Sequence, residues 1–401
     1  MNKIFIIGGG ASGLMSAIYA SKNKNNQVTI LEKNNDCAKK ILVTGNGKCN
    51  YFNENQSLNK YHSRNEELIN NLINDENLQL VKDTFTYLGI SPKIKNGYYY
   101  PSSSQAITIK NVLLKSLEKP NVNIINNVEV TNIKKEKNTF KIFTKSKTYF
   151  ADKVIISTGS RAFPKTGSDG KGYEILKNLN HSIIDVLPSL VQLKIKENYT
   201  KDWAGIRTDV SLKLFENDRF IKEEQGEIQL TNYGVSGICI MNLSSYVAIG
   251  LHEHKKETIK INFVPFIENN LLSYLQQLNQ MDKTIEDLLN GILNNKLVKV
   301  ILNKIKLNPN KKFNKLTNEE QKNVEKVLKS FEIKIIDTNS YNECQVCSGG
   351  IPLTEINLKT MESKKIKNLY ITGELIDING DCGGYNLTNA WITGILAGRS
   401  A

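Results

Sequence analysis

Three glycines near the amino terminus have a spacing that suits phosphate binding. Gly8, Gly10 and Gly13 directly follow the apolar run Ile4–Ile7, and a helix-like stretch follows them. In such a turn the first glycine bends the chain, the second lets the backbone approach a pyrophosphate, and the third lets the helix pack on the strand. Glu32 ends a second apolar run, in the place where an acid binds ribose hydroxyls. The pattern predicts a dinucleotide site with its pyrophosphate at a helix N-terminus.

The sequence contains one Gly-x-Gly-x-x-Gly turn and no second one. Reductases that hold two dinucleotides usually have two such turns, one for each. We therefore expect one tightly held dinucleotide. A nicotinamide donor, NADH or NADPH, would visit a less specialised surface and act as a transient electron source.

Three cysteines could carry redox or proton chemistry. Cys344 and Cys347 form a Cys-x-x-Cys pair, but no second pair and no nearby histidine accompanies them, so the spacing gives little support for zinc. Cys382 precedes Gly383-Gly384 and is the better candidate for proton transfer. A small buried residue at a tight turn is the alternative interpretation. No metal site is predicted.

The elements that would position these residues form regions with different sequence patterns. Alternating strand and helix patterns run to about Leu187, and period-2 segments from Leu190 to Phe266 predict an antiparallel barrel or sheet. From Leu271 to Phe331 the apolar residues have helical spacing, with a capping-box signature at Thr317. Strands then return, and a last helix ends near Gly398. The C-terminal strand and helix are expected to rejoin the N-terminal domain.

Charge and cysteine content indicate which partners and which cellular compartment the protein suits. The formal net charge is +13, and residues 296–334 carry eleven lysines and four glutamates, a local charge of +7. Such a cluster suits a polyanionic partner, although a lysine- and asparagine-rich composition is the alternative explanation. The six scattered cysteines suit reduced thiols, and no signal peptide or membrane-spanning run is evident. We expect a cytoplasmic protein without membrane attachment. The sequence does not indicate an oligomeric state.

Five separated motifs resemble the BaiN/RdsA family of FAD-dependent oxidoreductases. They span nearly the whole chain: residues 40–50, Gly97-Tyr98-Tyr99-Tyr100-Pro101, Gly226-Glu227 with Gly234-Val235-Ser236-Gly237, Thr360-Met361-Glu362-Ser363-Lys364, and residues 372–386. Asn232, Ile238 and Cys347 depart from the family pattern, where His, Pro and Thr are expected. These departures weaken any role at those three positions but leave the resemblance intact.

The resemblance implies FAD as the cofactor and a specific layout. The implied fold class is α/β, with a Rossmann-like FAD-binding domain split in sequence, an inserted antiparallel β-barrel-like domain and a helical cap domain. The expected boundaries are 1–188 and 353–401 for the FAD-binding domain, 189–267 and 337–352 for the barrel, and 268–336 for the basic cap. The helix that begins near Tyr385 would direct its positive end at the flavin and stabilise the reduced, anionic form.

The candidate site residues follow from the glycine turn and the resemblance together. Glu374 would hold the ribityl or pyrophosphate region. The expected cofactor-binding residues are Gly8, Gly10, Ala11, Ser12, Gly13, Glu32, Lys33, Lys40, Gly45, Asn50, Val130, Thr158, Gly159, Gly373, Glu374, Asp381, Gly383, Gly384, Asn386 and Leu387. The catalytic candidates are Cys382, Cys347 and Tyr385, and the RNA-binding candidates are Lys311, Lys312 and Lys315.

The leading functional hypothesis is reduction of a uridine in 23S ribosomal RNA to dihydrouridine, a substrate that the resemblance implies. The reaction needs a hydride at one carbon, a proton at its neighbour from a positioned acid, and a surface that holds the RNA with the base unstacked. One rival is a small-molecule flavin oxidoreductase acting on an enone, sterol-like or amine substrate. A second rival is a non-catalytic, flavin-bound RNA-binding protein.

Overall fold

A computed structural model describes residues 1–268 and 270–401. The chain divides into two compact units, one formed by residues 1–187 and 341–401 and the other by residues 188–340. No helix among the described residues combines the length and the apolar character needed to cross a bilayer.

The amino-terminal part of the first unit alternates strands and helices. Its strands are β1 (Asn2–Ile7), β2 (Asn26–Leu31), β3 (Phe52–Asn53), β4 (Tyr61–His62), β5 (Pro92–Lys95), β6 (Tyr98–Pro101), β7 (Val122–Ile125), β8 (Val130–Glu136), β9 (Thr139–Thr144), β10 (Thr148–Ala151), β11 (Lys153–Ile156) and β12 (Ile184–Ser189), the last of which runs two residues into the second unit. Its helices are α1 (Ala11–Ala20), α2 (Lys39–Val43), α3 (Asp75–Tyr87), α4 (Ala106–Lys115) and α5 (Lys171–Asn178).

The second unit combines a barrel with helices. Its strands are β13 (Leu193–Ile195), β14 (Arg207–Glu216), β15 (Arg219–Leu230), β16 (Gly234–Ser236), β17 (Glu257–Asn262) and β18 (Phe331–Thr338). Its helices are α6 (Thr200–Trp203), α7 (Ile238–His252), α8 (Leu271–Leu278), α9 (Ile285–Asn290), α10 (Asn295–Lys304) and α11 (Asn318–Lys329).

The carboxyl-terminal part returns to the first unit as β19 (Val346–Gly350), β20 (Ile356–Asn357), β21 (Glu362–Ser363), β22 (Leu369–Ile371), β23 (Asn379–Gly380) and α12 (Tyr385–Ser400).

A seven-stranded sheet forms the centre of the first unit, in the order β20-β21-β22-β11-β1-β2-β7. The strands from β22 to β7 are parallel, with Ile6 beside Ile155 on one side and Ile30 on the other. Residues 4–7 of β1 are all buried, because helices cover both faces of such a sheet. Parallel strands bring their carboxyl ends to one edge, which is where ligands bind in this architecture.

Six antiparallel strands close a barrel in the second unit, in the order β13-β16-β15-β14-β17-β18. Asn217 and Asp218 turn the β14–β15 hairpin with φ angles of 45° and 66°, as the Asn-Asp pair predicted. The capping box at Thr317 and Glu320 is also present at the start of α11. The split Rossmann-type α/β fold with a barrel insert is thus confirmed.

Two predicted boundaries were wrong. Residues 331–336, assigned to the helical cap, belong to β18 of the barrel, where the buried residues Phe331, Ile333 and Ile335 alternate with exposed ones. The strand begins two residues after α11 ends, so the helical spacing gives way to a period-2 pattern earlier than the predicted boundary. The prediction also placed 337–352 with the barrel, but 341–352 belong to the first unit, since β19 lies among its backbone segments at Asp185 and Leu375.

Candidate cofactor and active site

The glycine turn joins β1 to α1 at the carboxyl edge of the sheet. Gly8 has a φ of +103°, and a side chain there would meet the carbonyl oxygen of Ser157 at 2.6 Å. A side chain at Gly13 would overlap the Gly8 carbonyl oxygen, whereas one at Gly10 would meet no atom within 4 Å. Gly8 and Gly13 are therefore required by the fold, and Gly10 leaves open space beside the N-terminus of α1. No acidic side chain lies in the first turn of α1, which keeps that end favourable for an anion.

Glu32 lies at the end of β2, buried to 7% exposure. Its Oε2 accepts a hydrogen bond from the Gly9 N–H at 2.7 Å, and its Oε1 accepts two from Asn34, from the backbone N–H and from Nδ2, both at 2.8 Å. The carboxylate thus holds the glycine turn in place. Oε2 keeps lone-pair capacity for a ribose hydroxyl.

Several buried polar atoms have no hydrogen-bond partner among the described residues. In the first unit they are Asn50 Oδ1, Thr158 Oγ1, Ser348 Oγ and Asn389 Oδ1. Buried polar atoms are normally satisfied, so unpartnered ones indicate a missing ligand. Together with the open space at Gly10 and the acid at Glu32, they fit a dinucleotide with a hydroxyl-rich chain, as FAD has.

Lys40, Glu374 and Ser160 form one polar network at the same edge. Lys40 Nζ lies 2.7 Å from Glu374 Oε2, and the Ser160 hydroxyl donates to that oxygen at 2.8 Å. The Tyr173 hydroxyl donates to the Glu374 carbonyl at 2.9 Å. Lys40 is one of the expected cofactor-binding residues. In this structure its ammonium group neutralises Glu374.

A second network surrounds Asp381, which is 1% exposed. Asp381 Oδ1 lies 2.8 Å from His62 Nε2, and its Oδ2 lies 3.3 Å from Lys60 Nζ. The strands β4 and β23 bring these residues together, because His62 pairs with Asn379 across the ladder. The carboxylate orients the imidazole ring. The His62 side chain is 13% exposed, so it remains within reach of a ligand.

The backbone at the start of α12 is closely packed against neighbouring residues. Gly383 and Gly384 have φ angles of +134° and +91°, and side chains there would meet the Tyr98 ring and the Phe52 backbone. Asn386 exchanges two hydrogen bonds of 2.8 Å with the backbone of Gly380. Cys382, immediately before the glycines, is partly exposed. Burial raises the pKa of the Tyr385 hydroxyl to about 12, so the phenol keeps its proton at neutral pH.

The remaining candidates are distributed around the first unit. Lys33 forms an ion pair of 2.9 Å with Asp169, and side chains at Gly159 and Gly373 would overlap Ser168 and Ser12. Gly45 has a φ of +55°. Ala11, Val130 and Leu387 lie at the first or third residue of α1, β8 and α12. The cofactor-binding and catalytic candidates all lie in the first unit, and their roles stay predictions.

The three RNA-binding candidates lie in the second unit. Lys311 Nζ contacts both carboxylate oxygens of Glu320 at 2.6 Å, and Lys312 Nζ donates to the Asp282 carbonyl at 2.5 Å. Lys315 is exposed. The charge of Lys311 is thus partly neutralised, while the exposed ammonium group of Lys315 is accessible to an anion in solvent.

A buried serine and a buried histidine form a chain of hydrogen bonds with a partly buried glutamate in the first unit. Ser363 Oγ lies 2.9 Å from His181 Nε2, and His181 Nδ1 lies 2.7 Å from Glu355 Oε2. Burial lowers the pKa of His181, which favours the neutral ring. The Ser363 oxygen also accepts the backbone N–H groups of Lys365 and Ile366, each at 3.0 Å. With its lone pairs so engaged and 5% exposure, this serine stabilises a turn and is no nucleophile.

Sequence reasoning missed His62 and Ser160. His62 stands in no recognisable motif, and its partner Asp381 is 319 positions away. Ser160 follows Gly159 in the small-residue turn after β11, so the motif Ser157-Thr158-Gly159-Ser160 was a usable signal. Among the described residues no group of three or more His, Cys, Asp or Glu side chains is arranged to hold a metal ion.

Comparison with known proteins adds a family and a fold. The sequence matches the HI0933-like protein Rossmann domain over residues 2–400. It is 36% identical to the 3-dehydro-bile acid delta(4,6)-reductase of Clostridium scindens, over 100% of this chain and 99% of that protein. It is 25% identical to the ribosomal RNA dihydrouridine synthase of Escherichia coli, over 96% of this chain and 94% of that protein.

A solved structure shares the fold. The open conformation of a flavocytochrome c3 fumarate reductase matches 100% of this chain and 78% of its own, with a TM-score of 0.51 and 15% sequence identity. At this identity the likeness shows the fold alone.

Proposed function

Because the chain belongs to the HI0933-like Rossmann-domain family of FAD-dependent oxidoreductases, we propose that it reduces a carbon–carbon double bond conjugated to a carbonyl group. One observation supports the assignment of this reaction class. The two named relatives, at 36% and 25% identity over nearly the whole chain, have names that describe this chemistry on different substrates. A 3-oxo steroid with double bonds at positions 4 and 6 is a conjugated enone, and the uracil C5–C6 bond is conjugated to the C4 carbonyl.

Reduced flavin supplies the hydride for such a reaction. The protein has to hold the cofactor, exclude water and deliver a proton to the α-carbon. The glycine turn and the N-terminus of α1 would bind the pyrophosphate, and Glu32 would bind the adenosine ribose. Lys40 and Ser160 keep Glu374 in one orientation at the same edge, where it would accept ribityl hydroxyls.

We propose His62 as the proton donor, oriented by Asp381. A general acid must lie within hydrogen-bond reach of its acceptor, and a carboxylate-held imidazole meets that need when its other edge faces the substrate. Cys382, the candidate from the sequence, is adjacent to Asp381 and is the alternative donor. Tyr385 is less suited because its pKa of about 12 makes the phenol a weak acid.

The first substrate class we propose is a small-molecule enone, because the relative with the higher identity acts on one. The test is anaerobic: the flavin is reduced, and reoxidation is followed after adding a 3-oxo-4,6-diene steroid, a monocyclic enone or uridine. Rapid reoxidation by the steroid, with the saturated product detected by mass spectrometry, is the expected outcome. Failure of every conjugated carbonyl compound, RNA included, would contradict the reaction class.

Uridine in ribosomal RNA is the second candidate, favoured by the +7 charge of residues 296–334. Phosphate contacts release counterions, so RNA affinity should fall steeply as salt rises. The variant Lys311→Glu/Lys312→Glu/Lys315→Glu should lose RNA binding and uridine reduction together while flavin reduction by a small donor persists. The matched control Lys115→Glu/Lys141→Glu/Lys145→Glu changes the same charge in the other unit. If the first variant reduces rRNA at the unaltered rate, this segment is not the docking surface.

The electron donor we propose is NADH or NADPH, acting transiently. The single glycine turn supports this, because the chain offers a specialised dinucleotide site to one cofactor only.

A further inference from the structure

Three tyrosines lie in a row on β6, within the motif Gly97-Tyr98-Tyr99-Tyr100-Pro101. This strand is the middle one of the sheet β3-β6-β5, and successive side chains of a strand point to opposite faces. Tyr99 pairs with the buried Phe52 across the ladder, and the two rings meet edge to face with centroids 5.3 Å apart. Tyr99 therefore faces the core. Tyr98 and Tyr100 share the other face of the strand, and both are partly exposed.

Tyr98 and Tyr100 lie against two glycines that are expected to bind the cofactor. Tyr98 Cε1 is 2.8 Å from the position that a Cβ would take on Gly383, and Tyr100 Cε1 is 3.6 Å from the corresponding position on Gly45. Both glycines have positive φ angles, +134° and +55°. A side chain at Gly383 would collide with the Tyr98 ring, so this ring directly borders the segment that begins α12.

A buried acceptor indicates space for a ligand beside the same glycines. Asn50 Oδ1 has no hydrogen-bond partner among the described residues, and it lies 3.0 Å from the position of a Cβ on Gly384. The backbone nitrogen of Asn50 lies equally close, at 3.0 Å, to the position of a Cβ on Gly45. Buried polar atoms are normally satisfied, so the lone amide oxygen points to a ligand at the start of α12.

Hydrogen bonds hold the tyrosine strand in place relative to α12. Asn53 Nδ2, on β3, donates to the Gly383 carbonyl at 2.8 Å. Trp391 Nε1, on α12, donates to the Tyr51 carbonyl at 2.9 Å, and the Tyr51 N–H donates to the Tyr99 carbonyl at 2.9 Å. The exposed rings of β6 are therefore preorganised beside the start of the helix, which lowers the cost of ordering them around a ligand.

The proposed proton donor borders the same segment. The Tyr61 and Tyr385 rings meet edge to face at 5.6 Å, and Tyr385 Cε2 lies 3.1 Å from the position of a Cβ on Gly383. His62 follows Tyr61 on β4 and pairs with Asn379 across the ladder. The imidazole and the exposed face of β6 thus both adjoin residues 379–385.

We propose that Tyr98 and Tyr100 form the aromatic wall of the substrate site, on which the planar conjugated system of a small-molecule cyclic enone stacks. Aromatic side chains bury a large apolar area and favour offset contact with a flat π system. A cyclic enone offers a flat C=C–C=O unit joined to an apolar ring, and the tyrosine rings match both parts. This inference rests on the enone reaction class of the proposed function and adds the residues that determine substrate affinity.

The first measurement is binding without turnover. Oxidised holoprotein is titrated calorimetrically with a 3-oxo-4,6-diene steroid, and Tyr98→Leu and Tyr100→Leu should each raise Kd about tenfold because a stacked ring is lost. Tyr98→Phe should stay within about threefold of the unaltered protein, since the ring remains. The control Tyr87→Leu replaces an exposed tyrosine at the end of α3 and should leave Kd unchanged.

Unchanged Kd in both leucine variants would overturn the aromatic wall. Binding by Tyr98→Phe as weak as that by Tyr98→Leu would also contradict stacking, because the hydroxyl group would then be the contact.

The second measurement separates substrate binding from cofactor binding. In single-turnover reoxidation, the enone concentration for half-maximal rate should rise in the leucine variants by the same factor as Kd. Flavin content and reoxidation by ferricyanide should match those of the unaltered protein. Loss of flavin from Tyr98→Leu would show that the ring holds the cofactor and would overturn the substrate role. If the unaltered holoprotein neither binds nor reduces any enone, the reaction class itself fails, and this result is distinct from a wall without effect.

Discussion

Gly10 and Gly13 belong to one sequence motif but are required for different reasons. Gly13→Ala should lower the free energy of unfolding, because the new methyl group overlaps the Gly8 carbonyl oxygen. Gly10→Ala should fold normally, since nothing lies within 4 Å, yet lose FAD because the methyl group occupies the space expected for the pyrophosphate. Thermal unfolding without cofactor and flavin content after gel filtration separate the two effects. Full flavin occupancy in Gly10→Ala would show that the pyrophosphate lies elsewhere.

The proton donor can be assigned by comparing two neighbouring residues. His62→Gln should keep flavin bound and lower substrate reduction about 100-fold or more, because general acid catalysis is lost. Cys382→Ala should retain most of its activity. Single-turnover reoxidation of pre-reduced flavin is the measurement, with flavin content as the control for site integrity. If Cys382→Ala loses more activity than His62→Gln, the proton donor is Cys382, as the sequence predicted.

At the scale of elements, strand β17 of the barrel carries a buried carboxyl group. Both side-chain oxygens of Glu257, on β17, lack hydrogen bonds among the described residues, and Gly250 of α7 packs against them. Burial raises the pKa of Glu257 to about 7, and the cross-strand carboxylate of Glu216 adds to the effect while Lys255 opposes it. The folded state therefore prefers the protonated acid.

This carboxyl group predicts how stability depends on pH. Its folded pKa lies above its unfolded value, so ionisation penalises the folded state, and the free energy of unfolding should fall as pH rises from about 4.5 through 7. Glu257→Gln should remove this loss and stabilise the protein by about 1–3 kcal/mol at pH 8, measured by urea unfolding. Glu216→Gln should give a smaller gain in the same direction. A Glu257→Gln variant with unchanged pH dependence would contradict the assignment.

At the scale of the whole molecule, the chain offers one specialised dinucleotide site and a second unit without one. Flavin reduction by NADH or NADPH should therefore be slow and saturate weakly, with half-saturation above about 100 μM. Stopped-flow reduction across a concentration series of each donor tests this. Tight saturation at low micromolar donor would reveal a nicotinamide site that the glycine motifs do not mark.

The sequence by itself determined the features that depend on local spacing. The glycine turn, the Asn217-Asp218 hairpin, the capping box at Thr317 and the final helix are set by residues within one or two turns of each other. Their backbone geometry follows from local sterics and hydrogen bonds. The split α/β fold followed from the order of these patterns along the chain.

Only the tertiary structure decided which distant residues meet. Lys40 and Glu374 are 334 positions apart, and His62 and Asp381 are 319 apart. No local pattern encodes such pairs, because they depend on strand order and on the approach of parallel carboxyl ends. The same holds for Ser160 beside Glu374 and for the unpartnered oxygens of Glu257. The sequence determines the type of each side chain. The packing of elements far apart in the chain determines which groups surround that side chain, and therefore its pKa and its reactivity.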